Sequence, residues 1–155
     1  MKNWFKVLVV ALGAFAMVGC NNEPDFFPNE KMEVTPHNIS GEWELVSFAW
    51  GDKLADGSYV YLDIKRKDRA FVEYQNIYNP YGTAVTGRYY IYEDVEHGAV
   101  IRGEYDNGKG DWTHRYKVTL YSDEMVWTAL DDEKEICVYQ RCSIPEELKI
   151  EEDAE

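Results

Sequence analysis

Histidine and cysteine are scarce in this 155-residue chain, three of each. None of the histidines stands two or four residues from another histidine or from a cysteine, so the paired ligands of a zinc site are missing. Basic residues are also few: 16 Lys and Arg against 29 Asp and Glu, a net charge of −13. A surface of that sign repels phosphates, which excludes nucleic acid and argues against binding anionic lipid through a basic patch. There is no phosphate-cradling glycine loop, no serine nucleophile elbow and no cofactor fingerprint. No cofactor is therefore expected. No internal segment of ten or more residues keeps a helical period, so the chain is not a helical protein.

The one long apolar run lies at the N-terminus. Lys2 and Lys6 precede an unbroken stretch from Val7 to Val18, followed by Gly19 and Cys20. That stretch is shorter than the roughly 20 apolar residues of a permanent membrane span. Its length and charge order are those of a secretory signal. Met17-Val18-Gly19-Cys20 resembles the lipobox of bacterial lipoproteins. The resemblance implies that residues 1–19 are a removed signal peptide and that Cys20 carries the lipid. Two acyl chains there would anchor the chain stably to a membrane, since each buried methylene adds about 0.8 kcal/mol. Asn21 follows, not the Asp of an inner-membrane retention signal, which favours the outer membrane within the cell envelope. Glu23 and Asp25 weakly resemble the acidic stretch that sends lipoproteins of the Bacteroides group to the cell surface; the leaflet stays open.

Removing the signal takes Lys2 and Lys6 and no acid, leaving 14 basic residues against 29 acidic ones, a mature charge of −15. The remaining residues suffice for one domain with tails. Aromatics make up 15% of the chain, and 12 tyrosines supply most of them. Tyrosine suits strands and brings a hydroxyl that needs a partner. Cys137 and Cys142 are five apart. On one strand they would be separated by about 16 Å, too far for a disulfide, so both are expected as free, mostly buried thiols.

Residues 20–38, with Pro24, Pro28 and Pro36, read as the lipidated cysteine and a flexible tether. Residues 39–142 hold eight stretches of period-2 alternation: 42–48, 58–65, 69–76, 84–92, 98–105, 112–121, 125–130 and 135–141. Turn formers separate them, among them Asp56-Gly57, Asn107-Gly108 and Asp131-Asp132. This pattern predicts an all-β domain, an eight-stranded antiparallel up-and-down barrel closed on itself, wide enough for side chains or one small ligand. Residues 143–155 read as an acidic tail, either a solvated helical turn or disordered.

Gly41-Glu42-Trp43 on the first strand and Val138-Tyr139-Gln140-Arg141 on the last resemble the lipocalin-like lipoproteins of the Bacteroides group, over roughly residues 39–142. The resemblance implies that Trp43 plugs one end of the barrel, that Arg141 packs across it, and that Gly41 completes the closure. This role is structural.

Strand phase points Val60, Leu62, Val72, Tyr74, Tyr89 and Ile91 inward, followed by Ile101, Tyr105, Trp112, His114, Tyr116, Val118, Met125 and Trp127. Such a mix of apolar bodies and polar tips fits a ligand pocket as well as a packed core. Tyr74, Tyr89, Tyr105, His114, Tyr116 and Trp127 are the candidate ligand contacts. His114 reads first as a hydrogen-bonded core histidine and second as a ligand contact, and no group is placed for catalysis. Asp106–Asp111 lacks the acid spacing of a calcium loop and reads as a hairpin turn around Asn107-Gly108. No metal site is expected.

Two functions follow. A non-catalytic, membrane-anchored barrel would bind a small apolar or aromatic ligand. Alternatively, the outer face would bind an envelope protein through Tyr59, Tyr61, Phe71, Tyr90 and Tyr92, if these form one exposed patch.

Overall fold

The computed structural model describes residues 30–49, 51–106 and 108–150. The signal segment, Cys20, the first part of the tether and the last five residues lie outside them. Eight antiparallel strands close into a barrel in sequence order. They are β1 (Gly41–Ser47), β2 (Val60–Ile64), β3 (Ala70–Gln75), β4 (Thr83–Asp94), β5 (Gly98–Tyr105), β6 (Tyr116–Leu120), β7 (Glu124–Ala129) and β8 (Ile136–Arg141). Closure comes from the pairing of β1 with β8, where Trp43 lies opposite Arg141 and Leu45 opposite Tyr139. No sheet edge is left open, which removes the hazard of an unpaired strand.

One strand is shorter than its alternation predicts. Trp112 donates its backbone N–H to the Gly103 carbonyl at 2.9 Å, but residues 113–115 leave the ladder and β6 begins only at Tyr116. β5 and β6 then share two register pairs, Val100 with Lys117 and Ile101 with Tyr116. His114 therefore sits on the connection before β6 and not within it.

The barrel has a closed end. Trp43 is fully buried, and its indole N–H donates to the Ile39 carbonyl at 2.9 Å. The Arg141 guanidinium lies over the Trp43 ring, 4.1 Å from its centroid. Its three nitrogens donate to the carbonyls of Ser122, Ser40 and Asn38 at 2.7–3.0 Å. One side chain thus ties the last strand to the β6–β7 turn and to the chain entering β1. Gly41 is needed here twice over: its φ is +122°, and a Cβ would come within 2.8 Å of Arg141.

The segment entering β1 also closes this end. A single helical turn, Pro36–Ile39, is capped by Thr35, whose hydroxyl accepts from the Asn38 N–H, and it buries Ile39. Before it, the Met32 N–H donates to the Leu120 carbonyl at 2.8 Å. Residues expected as part of a loose tether are here laid across the barrel floor.

β3 has the opposite phase from the one its apolar residues suggest. Phe71, Glu73 and Gln75 point inward, while Val72 and Tyr74 point outward. The register fixes this: Phe71 opposes Ile64 and Gly87, and Glu73 opposes Leu62 and Val85, all on the inner face. Val72 and Tyr74 are nevertheless buried, because the segment after β8 covers them. Ile144 is 2% exposed and packs with them in a cluster flanked by Tyr59, Tyr61, Cys142 and Leu148. The Ile144 N–H donates to Glu42 at 2.7 Å, and Lys149 pairs with Glu42 at 2.9 Å. The chain up to Ile150 thus docks on the outer wall through Ile144 and Leu148, while Glu146–Leu148 forms a short helical turn with its acids exposed, as one of the two expectations for the tail had it.

Two inner-face glycines make room for aromatic rings. A Cβ at Gly87 would lie 2.6 Å from the Phe71 ring, and one at Gly103 would lie 2.2 Å from Trp112. Phe71 and Trp112 in turn meet edge to face, centroids 5.1 Å apart. Gly103→Ala is expected to push Trp112 off its seat, costing about 1–3 kcal/mol as overpacking. Denaturant unfolding followed by tryptophan emission checks this. An unchanged midpoint with unchanged emission would show that Trp112 does not rest on Gly103.

Candidate ligand chamber at the open end

The end of the barrel opposite Trp43 is hollow. Two chambers of about 310 Å³ and 440 Å³ share a wall formed by Glu73, Glu135 and Tyr139. The smaller is lined by Tyr105, Trp112, His114, Tyr116 and Trp127 as well. The larger runs under the β1–β2 and β3–β4 connections, past Phe48, Leu54, Val60 and Tyr78. Either volume is of the order a small ligand fills. A wider depression of about 550 Å³ lies on the outer wall over Ser47, Ile136 and Val138, bordered by Glu133 and Lys134. It lies outside the barrel, and no polar groups converge there.

The chamber is built by strand phase. Tyr105 ends β5, Tyr116 starts β6, Trp127 lies mid-β7 opposite Cys137, and Tyr139 follows on β8 opposite Met125. Trp127 is the hub, with ring centroids at 5.3 Å to Trp112, 5.4 Å to Tyr116 and 4.9 Å to Tyr139. Aromatic pairs at these separations each add about 0.5–1.5 kcal/mol beyond area burial. The wall is therefore a packed unit.

Of the candidate contacts, Tyr105, His114, Tyr116 and Trp127 come together in this chamber. Tyr74 does not: it faces outward beneath the docked C-terminal segment. Tyr89 is inside the barrel but lies deep in the core, 1% exposed, and its hydroxyl donates to the Lys65 carbonyl at 3.2 Å. It seals the core and does not line the chamber. His114 lines the chamber, yet its Nδ1 is held 2.8 Å from Asp131 at the rim. That hydrogen bond keeps the Asp131 carboxyl below the usual carboxylate range.

Glu73, Gln75, Glu135, Cys137 and Tyr139 were absent from the expected lining. For β8 the signal was available: an Arg141 that packs across the floor shares its face with Tyr139, Cys137 and Glu135 by period 2. For Glu73 no sequence signal exists, because alternation favoured the apolar residues on either side of it.

The polar groups of the two ends differ in how they are satisfied. At the floor, the indole of Trp43 and the hydroxyl of Tyr89 have backbone acceptors. At the open end, the Trp127 indole N–H is buried with no acceptor. Among the described residues the carboxylate of Glu73 and the hydroxyls of Tyr105, Tyr116 and Tyr139 also make no hydrogen bond within the protein, but they line the chambers and stay within reach of solvent. Burial raises the Tyr116 and Tyr139 hydroxyls above the ordinary tyrosine value. The Cys137 thiol is pushed up to about 12, by burial first and then by the charges of Glu135 and Glu73. Cys142 lies on the outer side of the wall with its thiol raised to about 11. Both cysteines are free, and both are poor nucleophiles at neutral pH.

Burial alone holds the Glu73 carboxyl above its ordinary value. Glu135, His114, Tyr105, Cys137 and Tyr139 are the other titratable groups nearest it, and none supplies a compensating positive charge. The folded state therefore binds this proton more tightly than the unfolded chain. Stability associated with Glu73 falls as pH rises from the ordinary glutamate value through the raised one. Glu73→Gln is thus expected to stabilise the protein near pH 8, because it removes the desolvated charge and keeps a polar group of the same size. Near pH 4, where both states hold the proton, the two proteins should melt together. Thermal unfolding at the two pH values tests this. A gain of equal size at both would show that the Glu73 charge is not the cause.

Among the described residues no three His, Cys, Asp or Glu side chains converge to hold a metal ion. The fold and chamber define a class: a closed up-and-down β-barrel, plugged at one end and hollow at the other. No protein-family model matches the chain, and no curated protein matches it.

Proposed function

We propose that this chain is a lipoprotein of the bacterial cell envelope, anchored through Cys20, whose barrel binds a small molecule with an apolar or aromatic body. One observation carries the binding reading. The polar groups at the floor are satisfied within the protein, whereas those of the aromatic chamber are not. A sealed core would have to satisfy them internally. An apolar cavity holding a few directed polar groups is the usual form of a ligand site.

The reading that assigns the outer face to a protein partner has lost its patch. Phe71 is inside the barrel. Tyr59 and Tyr61 stack on one another at 5.4 Å beside the docked C-terminal segment. Tyr90 is held separately by Glu104 and Arg102. Tyr92, two residues further along β4, accepts from Arg115 at 3.3 Å. With Phe71 buried, the five side chains do not form one exposed patch.

Native mass spectrometry of residues 21–155, purified gently after expression without the lipid, tests the binding reading. A discrete adduct that disappears in Tyr116→Ala supports it. A bare polypeptide mass after exposure to periplasmic and whole-cell extracts counts against it. Anchoring is tested separately by metabolic palmitate labelling. The label should be present in the wild type and absent from Cys20→Ala, and label retained in the variant would overturn the lipid assignment.

A further inference from the structure

We propose that the chamber's ligand is an organic cation: an ammonium group on an apolar or aromatic body, seated with its charge against Glu73. This rests on the binding reading above and adds to it the sign of the ligand's charge.

The walls have one sign. No lysine or arginine lines either chamber, while Glu73 and Glu135 line both. Among the described residues the only basic side chain in the lining, His114, is already engaged by Asp131 at 2.8 Å. A carboxylate or phosphate ligand would enter with two like charges facing it and no cation to meet it. The fatty acids that a hollow β-barrel could otherwise accommodate are excluded on this ground.

Glu73 is placed to act on a ligand, because among the described residues no hydrogen bond or ion pair engages it. On β3 its neighbours across the sheet are Leu62 and Val85, both apolar. The carboxylate is therefore presented to the two chambers it divides. Its charge is felt by Tyr105, Cys137 and Tyr139, whose own ionisation it opposes. The carboxylate is half-buried between apolar neighbours, and its desolvation is offset by no opposite charge. An ammonium ligand supplies the missing partner.

The aromatic wall favours the same class. Trp112, Tyr116 and Trp127 enclose one side of the smaller chamber, with centroids 5.3–6.4 Å apart. Ring faces attract cations, tryptophan most strongly, and the attraction grows where water is excluded. A carboxylate on one wall and ring faces on the other suit a cation whose remaining surface is apolar.

The test uses the full-length chain in detergent and four probes of nearly equal size: 2-phenylethylamine, benzyltrimethylammonium, 2-phenylethanol and 3-phenylpropionate. Calorimetry and quenching of tryptophan emission read the affinities. Both ammonium probes are expected to bind at least about tenfold tighter than the alcohol, and the carboxylate most weakly. Glu73→Gln should cut the ammonium-to-alcohol ratio several-fold, the ring faces and Glu135 holding the remainder. An alcohol or carboxylate that binds as tightly as the amines would overturn the charge assignment and leave the binding barrel standing. So would an undiminished ratio in Glu73→Gln. No saturable binding by any of the four would overturn both. The wild-type ranking decides the sign of the charge without the variant.

Discussion

Replacing Trp43 with Ala is expected to remove about 3–5 kcal/mol of stability, the usual cost of truncating a buried tryptophan. Domains of this size are held by roughly 5–15 kcal/mol in all, so the variant should be largely unfolded or close to its midpoint at 37 °C. Three losses coincide at this position. The fully buried ring leaves a void beneath the barrel. The Ile39 carbonyl loses its donor, and Arg141 loses the face over which its guanidinium lies at 4.1 Å. Trp43→Phe keeps part of the ring but neither the indole N–H nor the full plug, and should fall between the two. Circular dichroism during denaturant titration of the three proteins gives the order. A Trp43→Ala midpoint within error of the wild type would mean that the floor is not what closes this end. Arg141→Lys should cost less than Trp43→Ala because the charge is kept, though the compact ammonium lacks the planar fork whose three nitrogens reach Ser122, Ser40 and Asn38 separately.

Phe71→Ala carries the second large effect, again about 3–5 kcal/mol, and it discriminates between two readings of the same strand. If Phe71 faced solvent, as alternation with Val72 and Tyr74 inward would have it, its loss would be nearly neutral. In the structure it is 1% exposed, packed over Gly87 and edge-on to Trp112 and Tyr105. Removing it should therefore lower stability and also loosen the chamber wall that Trp112 forms. Urea midpoints for Phe71→Ala beside Tyr90→Ala, an exposed control, settle it. A Phe71→Ala midpoint matching that of Tyr90→Ala would restore the outward reading.

Most of the barrel was legible in the sequence. Seven of the eight strands lie where short alternating runs between turn formers place them, and the closed order follows from tight antiparallel connections. The floor was legible too, through Gly41, Trp43 and Arg141. What the pattern misjudged was the inner face of β3 and the extent of β6. Period 2 fixes that Phe71, Glu73 and Gln75 share one face, but not which face is inside. Hydrophobicity normally decides that, and here both faces are buried: one by the core, the other by Ile144 and Leu148 arriving from the far end of the chain. The apolar residues Val72 and Tyr74 face that cover, and a glutamate is turned inward. The strong alternation of Trp112, His114 and Tyr116 likewise reads as one strand, but the backbone leaves the ladder between Trp112 and Tyr116, and His114 leans over the chamber from that break.

By itself the sequence determined the all-β class, the strand count and the acidic surface. These depend on local periodicity, turn chemistry and net charge, which are properties of neighbouring residues. Only the tertiary structure decided that Glu73 faces a hollow, aromatic-walled interior without a partner. That outcome depends on the docking of residues 144–150 against β2 and β3. It also depends on register with strands far away in the chain, and neither is a property of Glu73's own neighbourhood.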